Sequence, residues 1–489
     1  MARPHILWIM TDQHRRDCLG AYGARTVRTP HLDRLAGTAV AFDRFYSTCP
    51  LCVPARSSLH TGRYAHSCGG IVNGFTRLGD EASATLNPDE VTVDELLANA
   101  GYHLGHVGVS HVKTRPPLRE RVPFAAFVSD AEYAAYLKRK GLQPPDETAH
   151  QQECPTRFGD EVRPVRFSAP NPGRHPFEPA DFLDCFYARE AARFVAEAPP
   201  DRPFALFCFL WLPHPPFVIP EPYFSMYSPE DVVLPPNVMA PQTGKPPMHL
   251  EHLPGQVGAT PDRAGWRKAW AGYLGAVALA DACIGTVLDA LEARGATDET
   301  LIVFHPDHGE MLGAHRYFQK MVCYEEAIHL PLIIRPPGDG AGGRCARLCS
   351  HIDIAPTMLD YAGVPVPARM QGESLREEID VAREPAFPAA SEAGAPAAPR
   401  RTAVFSEYNG NVVRDLYQRS IVTERYQYIW NMDGVTELYD LADDPYQLRN
   451  LSGRRDVADV EADLREQLVV WMRETGDFLN GDIEAADRH

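Results

Sequence analysis

The chain has no cluster of basic residues that could track a phosphate backbone, no apolar run of the roughly 18 residues a membrane span needs, and no internal repeat. Its first apolar stretch, Ile6 to Met10, stops at Thr11-Asp12 and is too short for a secretory signal core. A disulfide framework is not evident either: the eleven cysteines, an odd number, are scattered from Cys18 to Cys349, which fits free thiols in a reducing compartment better. The expected location is therefore cytoplasmic. A net charge of -17 over 489 residues sets nucleic acid and anionic membranes aside as partners. What is present is a hydrophobic share of 44%, enough for a large main domain and a smaller second one.

Short apolar runs bounded by Gly, Pro or Asp alternate with helical periodicity, the pattern of an α/β fold with a mostly parallel central sheet flanked by helices. Strands are expected at Ile6 to Met10, His103 to Val109, Phe204 to Leu212, Leu301 to Phe304 and Leu330 to Arg335. Helices are expected at Asp33 to Ala39, Val93 to Ala100, Tyr187 to Ala198, Ala269 to Arg294 and Ile354 to Ala362. Residues 214–262, rich in Pro and His, read as a long loop region. The main domain is assigned to 1–383, an Ala/Pro/Gly-biased connector to 384–400, and a C-terminal α+β subdomain with an antiparallel sheet to 401–489.

Within this frame the string Cys52-Val53-Pro54-Ala55-Arg56, continuing Ser57-Ser58-Leu59-His60-Thr61-Gly62, is unusual. Pro54 is tolerated in a first helical turn and Gly62 can end the helix, so Cys52 is placed at or just before a helix N-terminus. Backbone N–H groups and Arg56 then converge on an anion beside Cys52. The plain alternative is a buried structural Cys near a surface Arg.

In open α/β sheets ligands bind beyond the carboxyl ends of the strands, so the polar residues closing each apolar run are site candidates. They are Asp12-Gln13-His14, Ser110-His111, Pro213-His214-Pro215-Pro216-Phe217 and Asp307-His308-Gly309-Glu310, with Lys320 a short loop later. Two carboxylates, an amide oxygen and an imidazole can hold a divalent cation. Singly, each has a structural alternative: a turn or capping Asp, a core His, a solvated Lys. Their gathering at one sheet edge weakens those alternatives.

These segments, with Thr29-Pro30-His31-Leu32-Asp33, Asp353-Ile354-Ala355-Pro356-Thr357 and Glu437-Leu438-Tyr439-Asp440-Leu441, resemble the formylglycine-dependent sulfatases of the alkaline phosphatase superfamily, a group that includes the bacterial phosphonate monoester hydrolases. The resemblance implies that Cys52 is oxidised to formylglycine by a formylglycine-generating enzyme, that its hydrate is the nucleophile, and that Arg56 supports it. It further implies metal binding by Asp12, Gln13, Asp307 and His308 together with residue 52. By the same resemblance His214 and Lys320 take substrate-contacting and leaving-group positions, His111 belongs to the catalytic set, and Asn73 matches a substrate-binding Asn of the phosphonate hydrolases.

Two departures matter. Many sulfatases carry Gly-Lys-x-His where this chain has Gly108-Val109-Ser110-His111, so only His111 transfers. Most also carry Asp-Asp and Asp-Asn, against Asp12-Gln13 and Asp307-His308 here, a pattern shared with the phosphonate hydrolases. The altered pair removes one negative charge and softens the site, which makes Mn²⁺, Zn²⁺ or Fe²⁺ as fitting as Ca²⁺. The expected activity is metal-dependent hydrolysis of a small sulfate monoester of arylsulfatase type. Phosphonate monoester or phosphodiester hydrolysis on the same machinery is the alternative, and a catalytically silent metal-binding relative is the alternative of another class. A homo-oligomer is the candidate assembly.

Overall fold

Ile6, Trp8 and Met10 point to one face of their strand and Leu7 and Ile9 to the other, and all five are fully buried. A strand apolar on both faces needs a covering layer on each side, and fully burying such side chains is worth about 1.5–3 kcal/mol apiece. In the computed structural model, which describes residues 3–74, 83–158, 161–384, 401–411 and 416–485, eight strands share one sheet. They are β1 (His5–Thr11), β2 (Val40–Tyr46), β3 (His103–Gly108), β4 (Ala126–Val128), β5 (Phe204–Phe209), β6 (Thr300–Pro306), β7 (His329–Arg335) and β8 (Gly343–Ser350). Their order is β8-β2-β7-β6-β1-β5-β3-β4. All neighbours pair parallel except β7, which runs antiparallel to both β6 and β2.

Helices α1 (Pro30–Ala36), α2 (Cys52–Thr61), α3 (Val93–Asn99), α4 (Leu183–Glu197), α5 (Arg263–Ala293) and α6 (Ile354–Tyr361) cover the sheet. Leu7, Ile9, Leu206, Ile302 and Phe304 pack with Tyr187 and Val195 of α4 and Ile284 and Leu288 of α5. On the other face Trp8, Met10, Phe207 and Val303 pack with Leu59 of α2, Leu97 of α3 and Met358 of α6.

Several sequence expectations shift. Helix α1 starts three residues early, at Pro30, because proline suits the first helical turn. Helix α5 begins at Arg263, not Ala269, since the Asp262 carboxylate caps it by accepting from Gly265 N at 2.7 Å. That same helix corrects the reading that no stretch could span a membrane: by length and composition it is apolar enough, although 78% of its apolar window is buried inside the protein. Strands β2 and β8 escape a search for apolar runs because Asp43, Arg44, Arg344 and Arg347 interrupt them near the sheet edge. A further hairpin, Gln151–Phe158 with Glu161–Ser168, lies outside the expected elements.

The C-terminal segment forms a four-stranded antiparallel sheet, β9 (Ala403–Asn409), β10 (Tyr417–Thr423), β11 (Tyr426–Asn431) and β12 (Thr436–Asp440), backed by α7 (Ala458–Thr475). Phe405 of β9 stacks on Trp471 of α7 at 4.8 Å. The connector expected at 384–400 falls, beyond Glu384, outside the described residues. Residues 214–262 hold only the short strand Val218–Ile219 and the helices Met248–Glu251 and Leu253–Gly258.

Candidate active site

Parallel register brings the strand ends together. Thr11 of β1 pairs with Pro306 of β6, so Asp12 and Asp307 follow side by side, with Asp307 N donating to Thr11 O at 3.2 Å. On the other side of β1, Asp12 N donates to Leu212 O at 3.2 Å, which brings the His214 loop alongside. Strand β3 ends at Gly108, whose φ of 110° and contact with the Phe209 carbonyl leave no room for a side chain. The chain then turns toward His111.

Cys52 is the first residue of α2, which Gly62 ends in a left-handed conformation at φ 65°. Every residue of this helix is buried. Arg56, one turn on from Cys52, lies on the same side. Its Nε donates to Asp307 Oδ2 at 2.9 Å, its Nη2 to Asp12 Oδ2 at 2.9 Å, and its Nη1 to Val109 O. The fork therefore holds both carboxylates at once. Val53 N, an unpaired donor of the first turn, is capped at 2.9 Å by Asn73 Oδ1.

Cys52 Sγ lies 3.2 Å from His308 Nε2 and 3.9 Å from Asp12 Oδ1. Single donor atoms of Asp12, Cys52, Asp307 and His308, all buried, fall within 4.8 Å of one another, a spacing that could hold a metal ion. His308 Nδ1 donates to Gly309 O at 3.1 Å, which leaves Nε2 as a lone-pair donor toward this group. Burial lowers His308 to about 3 and so keeps the ring neutral, as a ligand must be. Burial and the charge of Asp307 push Asp12 up to about 7, against the pull of Lys320 and Arg56. Burial and the Asp12 charge also push the Cys52 thiol up to about 12. Two carboxylates crowded in an apolar setting repel each other in this way unless more positive charge arrives, and the donor set fits a divalent cation.

Gln13 leaves β1 with φ 66°, a left-handed backbone uncommon for a side chain of its size. Its Nε2 donates to Glu310 Oε2 and its Oε1 accepts from Lys320 Nζ. Lys320 Nζ also lies 2.8 Å from His214 Nε2, and His214 Nδ1 donates to Pro215 O at 2.5 Å. Trp211 packs at a tilt on His214 with ring centroids 4.2 Å apart and meets His111 edge-on at 6.1 Å. His111, at φ 53°, is held far below the ordinary histidine range by burial and Arg56.

The sequence candidates thus all converge on one end of the sheet. Sequence reasoning gave no role to Glu310, although it sits in the Asp307 motif. Its burial, with Oε1 accepting from Leu312 N at 2.7 Å and Gln319 N at 2.6 Å, is visible only in the fold. Asp184 was also missed. Its Oδ1 accepts from Trp211 N at 2.7 Å and Leu212 N at 3.1 Å, anchoring the loop that carries His214, and no sequence spacing links α4 to that loop. Lys113 reaches the same neighbourhood, since a side chain on Gly74 would meet its Nζ at 2.8 Å, beside Asn73.

Known proteins match along nearly the full chain. The sulfatase family model matches residues 4–364, and a model for the N-sulphoglucosamine sulphohydrolase C-terminal region matches residues 313–474. An ulvan-active sulfatase of Formosa agariphila is 29% identical over 97% of this chain and 82% of its own. An arylsulfatase of Clostridium perfringens is 27% identical over 92% of this chain and 90% of its own. The crystal structure of a phosphonate monoester hydrolase of Agrobacterium radiobacter superposes with a TM-score of 0.79 at 25% identity, covering 97% of this chain and 96% of that one.

Proposed function

Because the chain belongs to the sulfatase family, we propose that it hydrolyses sulfate monoesters with the help of one divalent cation, through a formylglycine hydrate made from Cys52. The observation that carries this reading is the position of Cys52: first residue of a buried helix, 3.2 Å from His308 and one turn from Arg56, whose fork joins Asp12 to Asp307. In this reading the hydrate oxygen would take the place of Cys52 Sγ.

Asp12, Gln13, Asp307, His308 and residue 52 would hold the cation, with Mn²⁺, Ca²⁺ and Zn²⁺ all compatible with four oxygens, that of the residue 52 hydrate included, and one imidazole. Bound there, the cation lowers the pKa of the nucleophilic oxygen and screens the charged ester. A formylglycine hydrate brings an attacking hydroxyl and a second hydroxyl through which product can be released. Arg56, locked by two carboxylates, presents fixed positive charge where negative charge grows. Lys320 holds a proton between Gln13 Oε1 and His214 Nε2, next to where the leaving oxygen departs. Asn73 and His111 orient the ester oxygens.

A second reading, hydrolysis of phosphonate monoesters, draws support from Gln13 and His308 in the donor set and from the TM-score of 0.79 to a phosphonate monoester hydrolase. Both substrates present a singly charged tetrahedral centre, so site charge does not separate them. Rates on an aryl sulfate and an aryl phosphonate monoester, measured on one preparation, do: the sulfate is expected to turn over faster, and a ratio strongly favouring the phosphonate replaces the first reading with the second. The mass of the Cys52 peptide tests the nucleophile. An unmodified thiol in active, metal-loaded protein would sink the formylglycine route.

A further inference from the structure

Glu310 is buried two residues beyond His308, and both of its oxygens are committed. Oε1 accepts the backbone N–H groups of Leu312 and Gln319, at 2.7 and 2.6 Å. Oε2 accepts from Gln13 Nε2. An ionised carboxylate can only accept, so it fixes which end of the Gln13 amide faces it: the NH₂ turns to Glu310 and Oε1 turns to Lys320. Gln319 precedes Lys320, so the second bond holds the loop carrying that ammonium as well. We propose that Glu310 is the positioning residue that makes Gln13 an oxygen donor: it forbids the amide flip that would turn an NH₂ toward the cation and toward the Lys320 ammonium.

The proposal yields an isosteric test. In Glu310→Gln the two backbone N–H groups still require an oxygen at the Oε1 position, so the new NH₂ falls at the Oε2 position and faces the NH₂ of Gln13. Two donors cannot pair, and Gln13 has to flip. Its NH₂ then opposes Lys320 and its oxygen is lost to the cation. Losing the partner that orients a ligand typically weakens metal binding by about 10–100-fold. A carboxylate at position 13 has no wrong orientation, and in a Gln13→Glu background the same Glu310→Gln change should cost less than about threefold.

The experiment is a four-member cycle of full-length protein: wild type, Glu310→Gln, Gln13→Glu and the double variant, each titrated with Mn²⁺ after chelator treatment. A large loss in the wild-type background with little loss in the Gln13→Glu background is the expected result. Equal losses in both backgrounds, whether from weakened binding or from failure to fold, would reduce Glu310 to a structural residue and overturn the proposal. No loss in the wild-type background would overturn it too. The inference rests on the metal site proposed above, which wild type and Asp307→Asn test separately. Wild type that binds no Mn²⁺ fails the site, whereas normal binding that Glu310→Gln leaves untouched fails only the clamp.

Discussion

Lys320 Nζ lies 2.8 Å from His214 Nε2, and the only consistent pairing has the ammonium donating and the imidazole accepting. The other ring nitrogen is tied to Pro215 O at 2.5 Å. Burial and the neighbouring Lys320 hold His214 far below its ordinary range, so the proton available to a departing oxygen sits on the lysine. Lys320→Ala is expected to lower kcat by about 10²–10⁴-fold, the range of general acid catalysis, and most for poor leaving groups. A series of aryl sulfates with graded phenol acidity reads this directly. Wild type and variant lines of equal slope would remove Lys320 from the leaving-group step.

Arg56 places one carboxylate on Nε and another on Nη2, a division that a lysine's single ammonium cannot reproduce. Arg56→Ala leaves Asp12 and Asp307 buried without their shared cation, and removing one partner of a buried pair costs about 3–5 kcal/mol. Urea unfolding in the presence of chelator should show that loss, with Arg56→Lys intermediate. Added Mn²⁺ should recover part of it, because the ion supplies the missing positive charge. Stability equal to wild type in Arg56→Ala would mean that the bridge contributes nothing to the fold.

The sheet centre was legible because Ile6 to Met10, Phe204 to Phe209 and Leu301 to Phe304 are buried on both faces and so are unbroken apolar runs. The strand ends were legible for the same reason: where such a run stops at Asp12 or Asp307, the chain has reached the edge where ligands bind. Strands β2 and β8 were not, since their partly exposed faces admit charge. Glu310 and Asp184 stayed hidden because most of their partners are backbone N–H groups, at residues 312 and 319 and at residues 211 and 212, and every residue but proline carries one of those. The relation of Lys320 to Gln13 likewise depends on a loop whose path has no sequence period.

Asn73 offers a way to separate substrate contact from helix capping. Its Oδ1 caps Val53 N at 2.9 Å, which leaves the amide NH₂ as its donor to an anionic ester. Asn73→Asp keeps an acceptor for Val53 and removes the donor, while adding negative charge beside the substrate. KM is expected to rise at least about tenfold, with stability changed by less than the roughly 1 kcal/mol that losing a cap costs. Steady-state kinetics with urea unfolding distinguishes the two roles. Unchanged KM with unchanged stability would make Asn73 a cap alone.

Asp184 gives a pH signature of its own. Burial raises its carboxyl from 3.8 to about 7, despite the bonds from Leu212 N and Trp211 N. Between those values the native chain binds more protons at this site than the unfolded chain, so stability falls as pH rises from about 4 to about 7 and is level above that. At 1.36 kcal/mol per unit the span is on the order of 4 kcal/mol. Asp184→Asn keeps an oxygen for the two backbone donors and has no charge to bury, so the variant should lack this slope and gain on wild type as pH rises. Urea unfolding of both proteins at pH 5 and pH 8 measures it. The expected outcome is a stability difference between variant and wild type that shifts by about 2–4 kcal/mol in the variant's favour at the higher pH, and a difference that does not change with pH would show that Asp184 is ionised in the folded chain as readily as in the unfolded one.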